Sequence, residues 1–360
     1  MKILLISNMY PSEKDKTYGT FVKMFKEGIE HNMNDIVFDC CFIRGRSNSF
    51  VVKLYKYIVF YFSIIYKTLF TKYDFIYNHQ ITHSAPVLRI CRYLRNFKLV
   101  MNIHGGDIIT IDRTSERLLN IAIPLLVDSN LIVVPSEYFK NVVLNKIPGI
   151  TSEQLFVSAS GGVNRNVFVY GDDYKALTGT IVYVSRIDTG KGWDVLIDAV
   201  SELKSKRKII GKRVLFVGYG TQTELLEKKI KELNLLEYCS YLGPKTHQEL
   251  NELYHQADVM IFPTMLYESL GLVGLEAMAC GCPVIGSNIG CLPEYVKDGV
   301  TGFLFESGNS HELADKIINF YELSISQREK MQLEAIKMAQ RYDSDPVSYT
   351  HLTLPTNSRV

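Results

Sequence analysis

Short apolar runs alternate with longer amphipathic stretches along almost the whole chain. In the first half, runs rich in β-branched and aromatic residues predict strands at Lys2–Ser7, Ile36–Phe42, Phe75–Asn78, Lys98–Asn102, Leu131–Val134 and Leu155–Ser158. Helical spacing predicts helices near 20–31, 50–71, 84–95, 114–127 and 136–145, the last with Ser136 as N-cap. The pattern lapses between about 161 and 174. A second series follows, with strands at 180–184, 213–217, 239–242, 258–262 and 284–286. Helices near 192–206, 221–234, 247–256, 272–280, 310–322 and 326–341 fill the gaps. Strand–helix alternation of this kind is the doubly wound α/β pattern. It predicts two Rossmann-like domains, 1–168 and 169–342, facing across a cleft, with ligands beyond the carboxyl ends of the strands.

Length agrees, since 360 residues suit two domains better than one. A content of 47% hydrophobic and 22% charged residues is that of a water-soluble globular protein. The net charge of +2 conceals an asymmetry: residues 1–170 carry 20 Lys+Arg against 13 Asp+Glu (+7), and residues 171–360 carry 20 against 25 (−5). The first half is therefore the one suited to an anionic partner. Seven cysteines, an odd number without a C-x-x-C pair, point to free thiols in a reducing compartment. The opening Met-Lys-Ile-Leu-Leu-Ile-Ser is too short an apolar run for a signal peptide. A cytoplasmic protein is expected, with no nucleic-acid partner.

Segment 50–72 raises the membrane question. Its uncharged stretch Tyr57–Tyr66 is half the roughly 20 residues that spanning requires. Lys53, Lys56, Lys67 and Lys72 surround aromatic and aliphatic positions. Two readings stay open: a crossover helix packed on a sheet with its lysines in water, or shallow peripheral contact with an anionic inner membrane face. At the other end, 346–360 fits no period of its surroundings, and Pro346-Val-Ser-Tyr-Thr-His-Leu-Thr-Leu-Pro-Thr356 resembles a translated sequencing adapter. That tail is expected to be non-native, with the native C-terminus missing.

The richest chemistry lies in Glu268-Ser-Leu-Gly271-Leu-Val-Gly274-Leu-Glu276-Ala-Met-Ala-Cys-Gly281-Cys-Pro283-Val-Ile-Gly286. Two carboxylates stand eight positions apart, and Gly281 and Pro283 end a helix that starts near Gly271. Unpaired N–H groups at a helix start favour an anion. Carboxylates before and inside the helix can accept hydrogen bonds from sugar hydroxyls, and phosphate beside polyol is the chemistry of a nucleotide sugar.

This segment resembles the E-x7-E motif of retaining glycosyltransferases of the GT-B fold, most closely family 4. The resemblance extends over nearly the whole chain to about residue 342 and is strongest in the second half. It implies that Glu268 approaches the donor sugar, that the amides around Leu270, Gly271 and Leu272 (with Ser269 beside them) hold the distal phosphate, and that Glu276 takes the ribose diol. Ser185-Arg186-Ile-Asp188-Thr-Gly190-Lys191-Gly192 resembles the family's R-x4-K-G, implying Arg186 and Lys191 on the diphosphate oxygens. His104-Gly-Gly-Asp107 resembles H-G-x-D, implying His104 at the donor hexose, with Asp107 either in contact or capping the next turn. The loop from Ser7 to Gly19-Thr20 resembles the family's glycine-containing loop over the donor phosphates, with one glycine where many relatives carry two. The resemblance also implies that Gly218, in a strand-Gly-x-Gly turn, lets the backbone pass near the nucleotide, and that Leu242-Gly243-Pro244 lines the base pocket. His79 either meets acceptor or satisfies a loop carbonyl.

The implied activity is retaining, metal-independent transfer of a sugar from a nucleotide diphosphate to an acceptor hydroxyl, with no cofactor. The one D-x-D, Asp343-Ser-Asp345, lies beside the foreign tail, and Arg186, Lys191 and the helix amides would neutralise the leaving group. A glycan or lipid-linked acceptor of cell-surface polysaccharide or glycolipid synthesis is expected. Rivals are a GT-B sugar-nucleotide epimerase and a non-catalytic nucleotide-sugar binding module; a phosphorylase fits less well, for want of a lysine signalled for pyridoxal phosphate.

Overall fold

The computed structural model describes residues 1–15, 18–110, 112–159, 162–169 and 177–343. The anomalous tail at 346–360 lies outside the described residues. The chain divides into two units, Met1–Gly162 and Val163–Asp343. The sequence pattern places the boundary at 168/169. The earlier division follows from contacts of Val163 and Arg165: the Val163 N–H donates to the Tyr342 carbonyl at 2.8 Å, and the Arg165 guanidinium meets Asp343 at 3.0 Å. That ion pair engages the first aspartate of the D-x-D.

In the first unit the strands are β1 (Lys2–Tyr10), β2 (Val37–Arg44), β3 (Phe75–His79), β4 (Leu99–Asn102), β5 (Leu131–Val134) and β6 (Leu155–Val157). Helices α1 (Thr20–Asn32), α2 (Phe50–Phe70), α3 (Ile81–Leu94), α4 (Arg113–Val127) and α5 (Glu137–Lys146) connect them. All pairings are parallel, in the order β2-β1-β3-β4-β5-β6. One face of the sheet packs Leu4, Ile6, Ile76 and Met101 against α2, α3 and α4, while Ile3, Leu5 and Tyr77 meet Val22 and Phe25 of α1 on the other. Strands covered on both faces must be apolar throughout, which is why they appear in the sequence as runs rather than alternations. Ser136 caps α5 as its position predicts, accepting from the Phe139 N–H at 3.1 Å.

In the second unit the strands are β7 (Thr180–Val184), β8 (Arg213–Val217), β9 (Cys239–Gly243), β10 (Val259–Phe262), β11 (Val284–Ser287) and β12 (Gly302–Phe305). The helices begin with α6 (Trp193–Ser205), α7 (Thr223–Glu232), α8 (His247–Gln256) and α9 (Leu272–Ala279). They end with α10 (Leu292–Tyr295), α11 (Ser310–Glu322) and α12 (Ile325–Ala339). The strand order is β12-β11-β10-β7-β8-β9. β12 and α10, four residues each, are not among the elements the sequence pattern predicts.

Strand order decides where ligands can sit. In a doubly wound sheet the crevice opens where the order reverses. That point lies between β1 and β3 in the first unit and between β7 and β10 in the second. The loops after β1, β7 and β10 carry Gly19, Lys191 and Glu268, and His79 ends β3.

Three sequence readings meet the structure differently. All seven cysteines are free thiols, six of them buried. Among the described residues no helix is long and apolar enough to cross a membrane. α2 is a crossover helix on the sheet, as one reading had it, but its lysines are not simply in water. Lys67 pairs with Asp39 at 2.5 Å and Lys56 donates to the Arg44 and Gly45 carbonyls.

Candidate active site

In the second unit, β7 delivers the loop 185–192 and β10 the loop 263–271. The Met265 N–H donates to the Gly190 carbonyl at 2.8 Å, joining the two. They approach too closely at Gly192 for any side chain. A Cβ there would stand 1.7 Å from the Pro263 carbonyl oxygen, and the backbone has φ +73°, a conformation natural to glycine. This contact sets Lys191 against Glu268. Nζ lies 2.7 Å from Oε1, with the two side chains only 13% and 18% exposed. The buried Thr264 donates its hydroxyl to the same Oε1 at 3.1 Å.

α9 begins four residues after Glu268. Its N-cap, Gly271, has φ +73°, and a Cβ would stand 2.8 Å from the Tyr295 hydroxyl, which donates to the Gly271 carbonyl at 3.1 Å. Ser269, Leu270 and Leu272 flank this turn, Leu270 being buried. The N-terminal end of α9 thus carries its positive dipole end beside a carboxylate. Glu276, partly buried within α9, has its carboxyl pushed up to about 7 by burial.

Arg186 takes a different position from Lys191. Its guanidinium is 70% exposed and pairs with Asp188 at 2.8 Å. Asp188 in turn accepts from the Thr221 N–H and hydroxyl at 2.7 and 2.8 Å, and these bonds hold its carboxyl below the usual range. Asp188 and Thr221 thereby link the loop after β7 to the Gly218-Tyr-Gly220 turn after β8. Gly218 itself lies against the Ser185 carbonyl. Asp188, Thr264 and Tyr295 carry no signal in the sequence, because they act through contacts 4 to 33 positions away along the chain.

In the first unit, Gly19 N-caps α1 against the Met9 backbone, with Thr20 the first helical residue. Residues 16 and 17 of the preceding loop lie outside the described residues. His104 follows β4, and its Nε2 lies 2.9 Å from Nδ1 of the buried His79 at the end of β3. The two rings stack with centroids 5.1 Å apart; Phe21 lies 4.4 Å from His104, while Phe25 and Tyr77 close on His79. Burial pushes the His104 imidazole down to about 3. The ring is therefore neutral at ordinary pH and can exchange a hydrogen bond but not a full charge. Asp107 closes the turn after β4: its Oδ2 accepts from the His104 N–H at 3.0 Å, and burial raises its carboxyl to about 7. No cluster of three His, Cys, Asp or Glu side chains able to hold a metal ion occurs among the described residues.

Comparison with known proteins adds family context. Residues 177–338 match the family model for glycosyl transferases group 1. An uncharacterized glycosyltransferase, MJ1178 of Methanocaldococcus jannaschii, is 25% identical over 248 residues, 68% of this chain and 64% of that one. The D-inositol 3-phosphate glycosyltransferase of Mycolicibacterium smegmatis is 32% identical over 170 residues, 47% of this chain and 38% of that one. The chain thus spans less than two thirds of these relatives' length. Among solved structures, Anabaena Alr3699/HepE in complex with UDP-glucose superposes with a TM-score of 0.74 at 21% identity, covering 99% of this chain and 100% of that one. The fold is GT-B, built of two Rossmann-like units.

Proposed function

We propose that this chain is a glycosyltransferase using a nucleotide-diphosphate sugar as donor. The observation that carries the reading is the Lys191–Glu268 pair at the switch point of the second sheet, beside the α9 N-terminus. A cation, helix amides and a carboxylate are the three groups a sugar diphosphate needs. In the reading, the departing diphosphate takes Lys191 and Arg186 together with the amides at Leu270 to Leu272. Glu268, released from Lys191, accepts from sugar hydroxyls, and Glu276 accepts from the ribose diol. UDP-glucose in the structural neighbour and the glycosyltransferase group 1 match support the donor class.

The finer features belong to the same proposal. Retention and membership of family 4 rest on the E-x7-E and R-x4-K-G resemblances. Metal independence rests on the cations and amides occupying the role a divalent ion would play. The neutral His104, oriented by His79, is assigned to the transferring sugar, and Gly19 and Thr20 to the donor phosphates. A glycan or lipid-linked acceptor at the cytoplasmic leaflet, in polysaccharide or glycolipid assembly, suits the basic first half.

The test is a transfer assay over UDP-, GDP- and ADP-sugars with Glu268→Gln, Lys191→Ala and Arg186→Ala, with and without EDTA. Each variant should lose about 10²–10³ in turnover, as when a preorganised charge-stabilising group is removed, and EDTA should change nothing. Full turnover in all three would sink the site assignment. Isomerised donor appearing without acceptor would mark an epimerase, and tight donor binding without turnover a binding module.

A further inference from the structure

α2 turns the wrong chemistry outward. Phe60, Ile64 and Thr68 are buried beneath it, and a surface helix ordinarily opposes such a stripe with charged residues. Here the outward arc is Val51, Tyr55, Val59, Phe62, Tyr66 and Phe70, each 48–75% exposed and spaced three or four residues apart. Arg95 lengthens the face. Its guanidinium donates to the carbonyls of Thr68, Leu69 and Thr71 at 2.9–3.0 Å, bringing the exposed Tyr93 and Leu94 of α3 close to the end of α2. An open cleft of about 340 Å³ between α2 and β2 adjoins the arc, lined by Tyr55 and Val59 with Arg44 and Lys56.

Charge around this face is predominantly positive. Residues 39–107 contain ten Lys+Arg (Arg44, Arg46, Lys53, Lys56, Lys67, Lys72, Arg89, Arg92, Arg95 and Lys98) against Asp39, Asp74 and Asp107, although Lys67 pairs with Asp39, Arg92 with Asp128 and Arg46 with Asp15. Lys53 and Lys72 stand exposed at the two ends of α2. A second copy of this chain would oppose cation to cation across a two-fold interface. An anionic bilayer satisfies both features: aromatic and aliphatic side chains enter the headgroup–acyl boundary, and lysines stay at the phosphate level.

We propose that α2, with the end of α3, docks this protein on an anionic lipid bilayer, the helix lying parallel to the surface. The proposal goes beyond sugar transfer, and its test needs no turnover. The full chain is sedimented with phosphatidylcholine vesicles with or without roughly 30% phosphatidylglycerol, an anionic lipid that recruits basic segments. Binding should be at least about tenfold stronger to the anionic vesicles and should weaken as salt rises from about 50 to 500 mM. Phe62→Glu and Tyr66→Glu should each weaken it about tenfold, because a carboxylate opposes burial at the interface. A Lys53→Glu/Lys72→Glu variant should weaken it without touching the apolar arc. Leu236→Glu, at an equally exposed apolar position of the second unit, should change nothing. All these positions are exposed, so unaltered melting of each variant keeps the comparison free of misfolding. No binding to anionic vesicles at low salt, or wild-type binding by Phe62→Glu, would overturn the proposal. So would a concentration-dependent dimer abolished by Phe62→Glu, which would give the face to a second copy.

Discussion

At 2.7 Å, with less than a fifth of either side chain exposed, Lys191 and Glu268 interact through protein rather than water. Breaking such a pair leaves one charge buried and uncompensated, at a cost on the order of 3–5 kcal/mol, whereas replacing both with neutral groups costs far less. Chemical denaturation should therefore show Lys191→Met and Glu268→Gln each strongly destabilising and the double variant closer to wild type. A double variant as unstable as the sum of the singles would mean the pair is not coupled. The carboxyls of Glu276 and Asp107 make a pH prediction. Both are raised to about 7 from ordinary values near 4, so between these limits the folded state binds more protons than the unfolded one. Their stabilising effect is complete below about pH 4 and is lost as pH rises through about 7. Melting temperature should fall over that window, and Glu276→Gln with Asp107→Asn should flatten the fall. These residues were legible in the sequence through motif spacing. Thr264 and Asp188 were not, since their roles come from side-chain bonds, to Glu268 and to Thr221 on the loop after β8, that no motif records.

At the scale of elements, long features were readable and tight junctions were not. The β1, β7 and β10 runs and α2, α6 and α12 declared themselves by composition and period. Gly192 shows what period cannot convey: its missing side chain allows the loop after β7 to rest on the Pro263 carbonyl. Gly192→Ala forces both a left-handed backbone on alanine and a displacement of one loop, worth on the order of 1–3 kcal/mol in backbone strain alone. Urea unfolding should register that loss, and sugar transfer should fall further than the stability change explains, because Lys191 is the neighbouring residue. Retained activity would show that the two loops can separate without consequence. α2 teaches the complementary lesson. Its apolar content was plain, but only packing on β2 and α3 shows which arc is left outside.

For the molecule as a whole, the two sheets have different strand orders, and in the second the switch point between β7 and β10 lies at the loops that carry Lys191 and Glu268. A donor that engages the folded site should stabilise it by mass action, about 2.7 kcal/mol at a hundredfold excess over Kd. Thermal melts with UDP-, GDP- and ADP-sugars should single out one nucleotide by an upward shift of about 5–11 °C, at 2–4 °C per kcal/mol for a domain of this size. The Lys191→Ala variant should lose that shift, and equal shifts for all three nucleotides would count against a base-selective pocket. Apolar periodicity in the sequence alone was enough for two doubly wound units and most of their elements, because strand and helix periods and helix stop signals are local properties, while the segment from Glu268 to Glu276 stood out through its resemblance to a family motif. Tertiary structure decided the rest: the Lys191–Glu268 pair, the His79–His104 contact and the outward face of α2. Each depends on residues distant in sequence meeting in space, and no local pattern records which strands lie side by side.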